Sequence, residues 1–252
     1  MFTAFADVYD ELMVDVDYAA WADFYAYMLQ SAGVGSGAEI VECACGTGGL
    51  TLPLRRFGYR MTGVDISYDM LRIAAEKARR EGITLPFVRQ DMRQLRTHHP
   101  VDAVLCTCDG LNYFTAPTDA VMFFNSASAA LKPGGCLVFD VSTPYKLAEI
   151  LGDRVICHDS ERVTYIWNNR YKTDTRILAM CLCVFNKITD GRYERVDETQ
   201  KQRAHTREEL TEWLQQAGFT DLRFYGEKAM RAPGKKEPRW HVCARKGMAA
   251  AL

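Results

Sequence analysis

The chain has 252 residues, 48% apolar and 25% charged, with a formal net charge of −1. This globular composition excludes disordered, collagen-like and coiled-coil classes, and the near-neutral charge is a poor footprint for gripping a nucleic-acid backbone. No apolar run approaches the roughly 18 residues that cross a bilayer, and the acidic start (Asp7, Asp10, Glu11, Asp15, Asp17) does not read as a signal peptide, so a cytoplasmic protein without a membrane partner is expected.

Residues 38–43 are predicted as a first strand, followed by the glycine loop Gly46-Thr47-Gly48-Gly49 and a helical stretch over 50–56. Residues 59–65 form a second strand. Ser67 sits where a helix N-cap belongs, ahead of Met70, Leu71, Ala74, Ala75 and Ala78 at three- and four-residue spacing. Arg79, Arg80 and Gly82 end that helix. Strands follow at 84–90 and 101–108, then a helix at 122–131 closed by Lys132-Pro133-Gly134-Gly135, then a fifth strand at 136–141. Alternation of this kind predicts an α/β fold, a doubly wound, mostly parallel sheet with helices on both faces.

After Pro144 the rhythm changes. Residues 163–167, 177–186 and 193–205 read as three long strands, the last two joined by the turn Thr189-Asp190-Gly191-Arg192. They form an antiparallel insertion within 145–205, either a lid over a pocket or a homodimer surface. Thr206 with Glu209 makes a capping box, its helix ends near Ala217-Gly218-Phe219, and strands at 222–225 and 240–246 bring the sheet to seven. A prior of roughly 150 residues per domain leaves room for a single domain, 1–252, with this embellishment.

Nine cysteines include the Cys-x-Cys pairs Cys43/Cys45, Cys106/Cys108 and Cys181/Cys183. Each lies in an apolar run read as a strand, where i and i+2 share a face, and the spacing is short for a zinc site. Buried, reduced thiols and no metal are expected.

Polar groups gather at predicted strand ends, where open α/β sheets bind ligands. Glycines after the first strand permit a tight turn and close backbone approach. Asp65 closes the second strand 19 residues after Gly46, the place where an acid meets ribose hydroxyls, and Asp91 closes the third, within reach of an adenine amino group. Ile66 and Met92 follow these acids and are placed to sandwich the base. The third glycine of a dinucleotide loop is missing, and the carboxylate of Glu42 would repel a pyrophosphate but suit an ammonium or sulfonium. S-adenosylmethionine is therefore favoured over a nicotinamide cofactor.

Glu42-Cys43-Ala44-Cys45-Gly46-Thr47-Gly48, Val64-Asp65-Ile66-Ser67, Gln90-Asp91-Met92, Leu131-Lys132-Pro133-Gly134-Gly135 and Ala217-Gly218-Phe219 resemble, in order and spacing, the motifs of class I S-adenosylmethionine (SAM)-dependent methyltransferases. The resemblance covers nearly the whole chain. The opening Phe5-Ala6-Asp7-Val8-Tyr9-Asp10-Glu11-Leu12-Met13, with Tyr18 and Trp21, resembles the N-terminal cap of small-molecule methyltransferases, here residues 1–30. Cys108-Asp109-Gly110-Leu111-Asn112-Tyr113 and Asp197-Glu198-Thr199 with Gln202-Arg203 resemble a group of small bacterial methyltransferases of unassigned substrate. The resemblance implies SAM around Ala44, Gly46 and Gly48, with S-adenosylhomocysteine (SAH) as product. It also implies Asp65 on the ribose, Asp91 near adenine and Tyr9 over the methionine end; Gln90 and Cys108 complete the expected cofactor set. Ala44 stands where many members have glycine.

On the acceptor side, Asp109, Asn112 and Tyr113 follow the fourth strand and are the candidate catalytic residues, with Asp109 placed to orient or deprotonate a nucleophile. Trp21, Trp167, Glu198, Gln202 and Arg203 are candidate substrate contacts; His205 reads as a satisfied histidine more readily than as a base. Lys228, Arg231, Lys235, Lys236 and Arg239 form a basic loop that would draw in an anionic substrate. The expected function is methyl transfer from SAM to nitrogen or oxygen of a small molecule. RNA or protein methylation is the alternative, weakened by the charge and by the lack of an Asn-Pro-Pro-Tyr type motif. A non-catalytic SAM-binding protein is a third reading.

Overall fold

The computed structural model describes residues 6–188 and 190–248; Phe5 of the expected cap and Thr189 of the expected turn lie outside the described residues. Two helices come first, α1 (Ala6–Leu12) and α2 (Tyr18–Ser31), the second capped by Asp17, whose carboxylate accepts from the Ala20 amide. Alternation follows: β1 (Glu39–Cys43), α3 (Thr51–Leu54), β2 (Arg60–Asp65), α4 (Tyr68–Arg80), β3 (Phe87–Arg89), β4 (Val101–Cys106), α5 (Pro117–Ala130) and β5 (Leu131–Ser142). An insertion contributes β6 (Val155–Asp159), β7 (Val163–Lys172), β8 (Ile177–Lys187) and β9 (Tyr193–Arg203). The fold closes with α6 (Arg207–Gln216), β10 (Phe219–Tyr225) and β11 (Arg239–Lys246).

The main sheet has seven strands in the order β10-β11-β5-β4-β1-β2-β3, and β11 is antiparallel to both neighbours. Strand order reverses between β1 and β4, so the C-terminal ends of these two strands flank a crevice, the place where doubly wound sheets bind ligands. Each face of the sheet has its own core. On one face Phe123 and Phe124 of α5 and Leu210 and Leu214 of α6 pack on Val104 and Phe139. On the other, Tyr25, Met28 and Leu29 of α2 pack on Ile40, Leu105 and Val138.

Several boundaries move. The third strand shrinks to Phe87–Arg89, because it is the sheet edge and pairs on one side only. Helix α5 starts at Pro117 rather than 122, since proline at the first helical position is preorganised for the turn. Pairing of β5 with β4 begins at Leu131; Val101 faces Leu131 and Ala103 faces Cys136, so Lys132-Pro133-Gly134-Gly135 bulges out of the ladder. The insertion has four strands, not three: β6 is a short edge strand whose residues alternate between exposed and half-buried, too polar to stand out as an apolar run. Cys43, Cys45 and Cys106 are buried as expected, but Cys181 is exposed on the insertion, which corrects the reading of that pair as buried.

The insertion forms a separate antiparallel sheet, β6-β7-β8-β9. Its register aligns Tyr165 with Val184 and Val196, and Trp167 with Leu182 and Glu198. Val8 of α1 packs on Val163 and Val184, with Leu12, Tyr165 and Leu182 around them, so the short N-terminal helix is held beneath this second sheet. The main sheet and the insertion are stapled by Asn112, which is fully buried. Its amide nitrogen donates to the carbonyls of Ser142 (3.0 Å) and Arg203 (2.9 Å), and its carbonyl oxygen accepts from the Ser142 amide (2.9 Å). These bonds make Asn112 a joint between the ends of β5 and β9 and correct its expected place among the reacting groups. Asn112→Ala leaves three main-chain groups unpaired and is expected to lower stability by about 2–4 kcal/mol, read by chemical denaturation; a loss under about 0.5 kcal/mol would show the staple to be dispensable.

Candidate active site

Beyond β1 the chain turns through three left-handed residues, Ala44 (φ 53°), Gly46 (φ 54°) and Gly48 (φ 76°). The carboxylate of Asp65, at the end of β2, accepts the Gly46 amide on one oxygen (2.9 Å) and the Ser67 amide on the other (2.8 Å), fixing the loop against the start of α4. Burial raises the Asp65 carboxyl above its ordinary range, and the amides of Ser67, Gly46 and Ile66 oppose that rise. Glu42 is almost fully buried and accepts from the hydroxyls of Thr51 (2.5 Å) and Thr107 (3.0 Å). Burial nevertheless pushes its carboxyl up to about 7. Gly49 lies under the Tyr18 ring, where a Cβ would come within 2.7 Å of ring carbon. The Thr47 hydroxyl donates to Asp10 (2.6 Å), which also takes Lys77 (2.9 Å), so α1 is docked on the glycine loop itself.

The cleft has two lobes that share Ala44, Asp65, Gly110 and Tyr113. The narrow lobe, about 90 Å³, runs over the glycine loop between Tyr9, Tyr18 and Glu42. The wider lobe, about 310 Å³, is bounded by Ile66, Gln90, Asp91, Met92 and Phe114. Ile66 is 51% exposed although apolar, because it edges this opening. Asp91 reaches the lobe, but both of its oxygens take Arg93 at 2.5–3.0 Å, and that guanidinium holds the carboxyl below its ordinary range. Gln90 spends its amide on both main-chain groups of Arg96 (2.9 and 3.2 Å). An apolar slot with a carboxylate at its edge, a central acid and a narrow end closed by a buried carboxylate together fit an adenine, a ribose and an α-ammonium in that order.

A third cavity of about 340 Å³ opens between α1, the loop after β4 and the inserted sheet. Tyr9, Cys108 and Tyr113 border both this cavity and the narrow lobe, so they form the throat between them. Tyr165 and Trp167 of β7 with Met180 and Leu182 of β8 make an apolar wall, and Gln200 and Gln202 of β9 a polar one. The Tyr113 hydroxyl donates to Gln200 (2.9 Å). Glu198 stands in the same cross-strand row as Leu182 and Trp167, which border the cavity.

Behind the throat lies a buried charge network. Cys108 (φ 54°) and Asp109 (φ 63°) are both left-handed, and both amides donate to Asp140 at the end of β5 (2.7 and 2.8 Å). Asp140, fully buried, also accepts from Tyr25 (2.5 Å) and from Arg239 of β11. Arg239 binds Asp109 through two nitrogens (2.6 and 2.9 Å), and Ser142 donates to it as well (2.8 Å). Burial acts to raise the Asp109 carboxyl, but Arg239 and Lys146 outweigh it and hold the group well below the usual carboxylate range. Asp109 is thus a fixed anion in an ion pair, which corrects its expected role as a base.

Other expectations change for similar reasons. Arg239 is buried in this network, Arg231 is paired with Glu237 (2.8 Å), and Lys228 lies over the Trp21 ring (5.0 Å), so the basic loop offers less free charge than its sequence suggests. Trp21 packs on Tyr25 and His241 and supports Arg239 from behind, and it is not among the residues that border the third cavity. Arg203 is nearly buried in a bidentate pair with Glu209 (2.7 and 3.1 Å) at the start of α6, and it is likewise no cavity residue. His205 is fully buried against Arg203 (2.8 Å) and the Leu111 carbonyl (3.3 Å), and burial lowers it to about 4. Trp167 and Gln202 do face the cavity. Sequence reading missed Asp140, Lys146 and Gln200; only Asp140, an acid ending an apolar strand, carried a signal.

Left-handed geometry at Ala44 costs an L side chain on the order of 1–2 kcal/mol, partly offset because glycine loses more chain entropy on folding. Ala44→Gly is therefore expected to stabilise by about 0.5–1 kcal/mol and Gly46→Ala to destabilise, both read by thermal or chemical unfolding. A destabilising Ala44→Gly would contradict this account of the loop.

A family model described as a methyltransferase domain matches residues 40–135. A protein of Geobacillus sp. (strain WCH70), provisionally named a methyltransferase, is 33% identical over 245 residues, 97% of this chain and 99% of that protein. The crystal structure of a SAM-dependent methyltransferase from Clostridium acetobutylicum ATCC 824 superposes with a TM-score of 0.88 at 28% identity, covering 97% of this chain and 98% of that one. The fold is shared with the sugar N-methyltransferase KedS8 from Streptoalloteichus sp ATCC 53650, at a TM-score of 0.77 and 18% identity, over 95% of this chain and 93% of that one. Likeness sustained from end to end, over a cleft shaped for adenosine and a cationic tail, makes this chain a member of the SAM-dependent methyltransferases, an enzyme whose cofactor is S-adenosylmethionine.

Proposed function

We propose that the enzyme methylates a nitrogen atom of a small molecule and releases SAH. One observation carries the reading: a cavity of about 340 Å³ meets the cofactor cleft at Tyr9, Cys108 and Tyr113, and among the described residues that border it the one carboxylate, Asp109, is held in an ion pair with Arg239. Bound in the cleft, SAM supplies an electrophilic methyl group on a sulfonium. Glu42 holds the ammonium of the methionine end, Asp65 the ribose, and Ile66, Met92 and Asp91 the adenine, with Ala44, Gly46, Gly48 and Gln90 shaping the cleft. Tyr9 and Tyr18 close the narrow lobe and exclude water, and Cys108 borders the path of the methyl group. Of the expected cap, the described residues 6–30 then cover the cleft, and the insertion within 145–205 serves as lid.

The choice of nitrogen follows from proton chemistry. A hydroxyl acceptor needs a base to remove its proton, whereas a neutral amine attacks without one. Asp109 is committed to Arg239, Tyr113 is pushed above its ordinary range by burial, and His205 is engaged elsewhere. Catalysis then rests on alignment and exclusion of water. The cavity volume of about 340 Å³ and the net charge of −1 support a small acceptor over RNA or protein. The sugar N-methyltransferase among the structural relatives is compatible with this reading.

Transfer of labelled methyl from SAM to pooled amines, hydroxyl compounds, RNA and protein tests the reading. Label is expected in the amine pool. Label confined to hydroxyl compounds would move the assignment to oxygen, and label in RNA or protein would remove the small-molecule reading. Tight SAM binding without any transfer would leave a binding protein.

Glu42 also predicts a pH dependence. Its folded-state carboxyl lies near 7, above the ordinary 4.5, so the unliganded protein takes up a proton on folding, and this contribution to stability is lost as pH rises from 4.5 to 7. Holding an ammonium needs the ionised form. SAM affinity should therefore rise between pH 5.5 and 7 by up to about tenfold per unit, with proton release seen by calorimetry in buffers of different ionisation heat. Glu42→Gln should flatten the profile; an unchanged profile would remove Glu42 from the ammonium site.

A further inference from the structure

Among the described residues that border the acceptor cavity, one cation makes no side-chain hydrogen bond. Lys146 stands on the turn of helix Lys146–Leu151 that follows β5, and its side chain, 24% exposed, borders the cavity beside Asp109 and Ser142. Its ammonium can donate three hydrogen bonds, yet its one ion pair is with Asp109 at 3.7 Å, beyond hydrogen-bonding distance. Lys146 acts on Asp109 through charge alone, because Arg239 and Ser142 make the hydrogen bonds to its carboxylate. Across the cavity the surface is aromatic and aliphatic, from Tyr165, Trp167, Met180 and Leu182.

We propose that Lys146 is the specificity residue of the acceptor site and anchors an oxyanion, so that the methylated molecule is an amino carboxylate with a flat apolar body. This rests on the reading of the cavity as a small-molecule acceptor site and names the class of acceptor. Within the ion-pair network itself, Asp109 and Asp140 are balanced by Arg239 and Lys146, and Glu198 acts on Tyr113 from β9 as a further carboxylate. An amino carboxylate brings its own anion to Lys146 and attacks through its neutral amine, an ammonium form first losing its proton to solvent, whereas a lone ammonium compound meets Lys146 as a like charge. Cys108 at the throat and Asp109 beside Lys146 are consecutive, with Cα atoms about 3.8 Å apart. Cys108 and Lys146 border the same cavity, so an acceptor whose nitrogen reaches the throat can present its carboxylate to Lys146. Trp167 and Tyr165 take the apolar body, and Gln200 and Gln202 bound its polar edge.

The test is calorimetry on the SAH-loaded protein with matched probes, anthranilate against 2-aminobenzamide and L-phenylalanine against L-phenylalaninamide. The carboxylates are expected to bind on the order of tenfold or more tighter than the amides, as for a partly desolvated charge pair. Lys146→Met should erase that preference with SAH affinity unchanged, which also shows that the variant is folded, and Lys146→Arg should restore most of it. Equal binding of acid and amide, no carboxylate binding at all, or a preference that survives Lys146→Met overturns the proposal. Binding is read here rather than transfer, so a methyl group found on oxygen would overturn the nitrogen assignment and leave this result standing.

Discussion

The carboxylate of Asp140 is the constraint around which the site is organised. Consecutive left-handed residues such as Cys108 and Asp109 are unfavourable for L side chains, and here they persist because both amides converge on one buried anion. The anion is tolerable in turn because Arg239 and the Tyr25 hydroxyl share it. Loss of one member would strand a buried charge, which costs far more than the intact network contributes. Helix α2, strands β5 and β11 and the loop after β4 thus meet at one point. That point sets where the throat residue Cys108 lies.

The same arrangement explains why Asp109 is a poor base and a good fixture. A carboxylate clamped by a guanidinium gives up basicity in exchange for position. In a displacement whose acceptor already carries a lone pair, position is what the protein can usefully provide. Around this fixed floor, the second sheet and α1 border the third cavity, while Asn112 and the Arg203–Glu209 pair tie that sheet to the main one. Polar residues that resemble reacting groups in one dimension serve here as joints.

Much of the fold was legible in the residues. Ser67 caps α4 and Thr206 with Glu209 forms the capping box of α6, as their spacing implies, because caps depend on groups three residues apart. Glu42 and Asp65 near the ends of β1 and β2, and Asp91 two residues beyond β3, border one cleft, because strand ends are adjacent in any doubly wound sheet. Short edge strands were harder. β6 and the trimmed β3 owe their limits to a neighbour on one side only, which no local pattern records.

What the sequence determined by itself was the order of elements, the glycine turn and the carboxylates beside it, all properties of short stretches of chain. What only the tertiary structure decided was the state of the acceptor side. Arg239 and Asp109 are 130 residues apart, and Asn112 meets Arg203 across 91. A charged or amide side chain reads as solvent-facing or reactive until folding supplies its partner. Whether Lys146 is spare or spent, and whether Asp109 can take a proton, depended on partners brought together from distant parts of the chain.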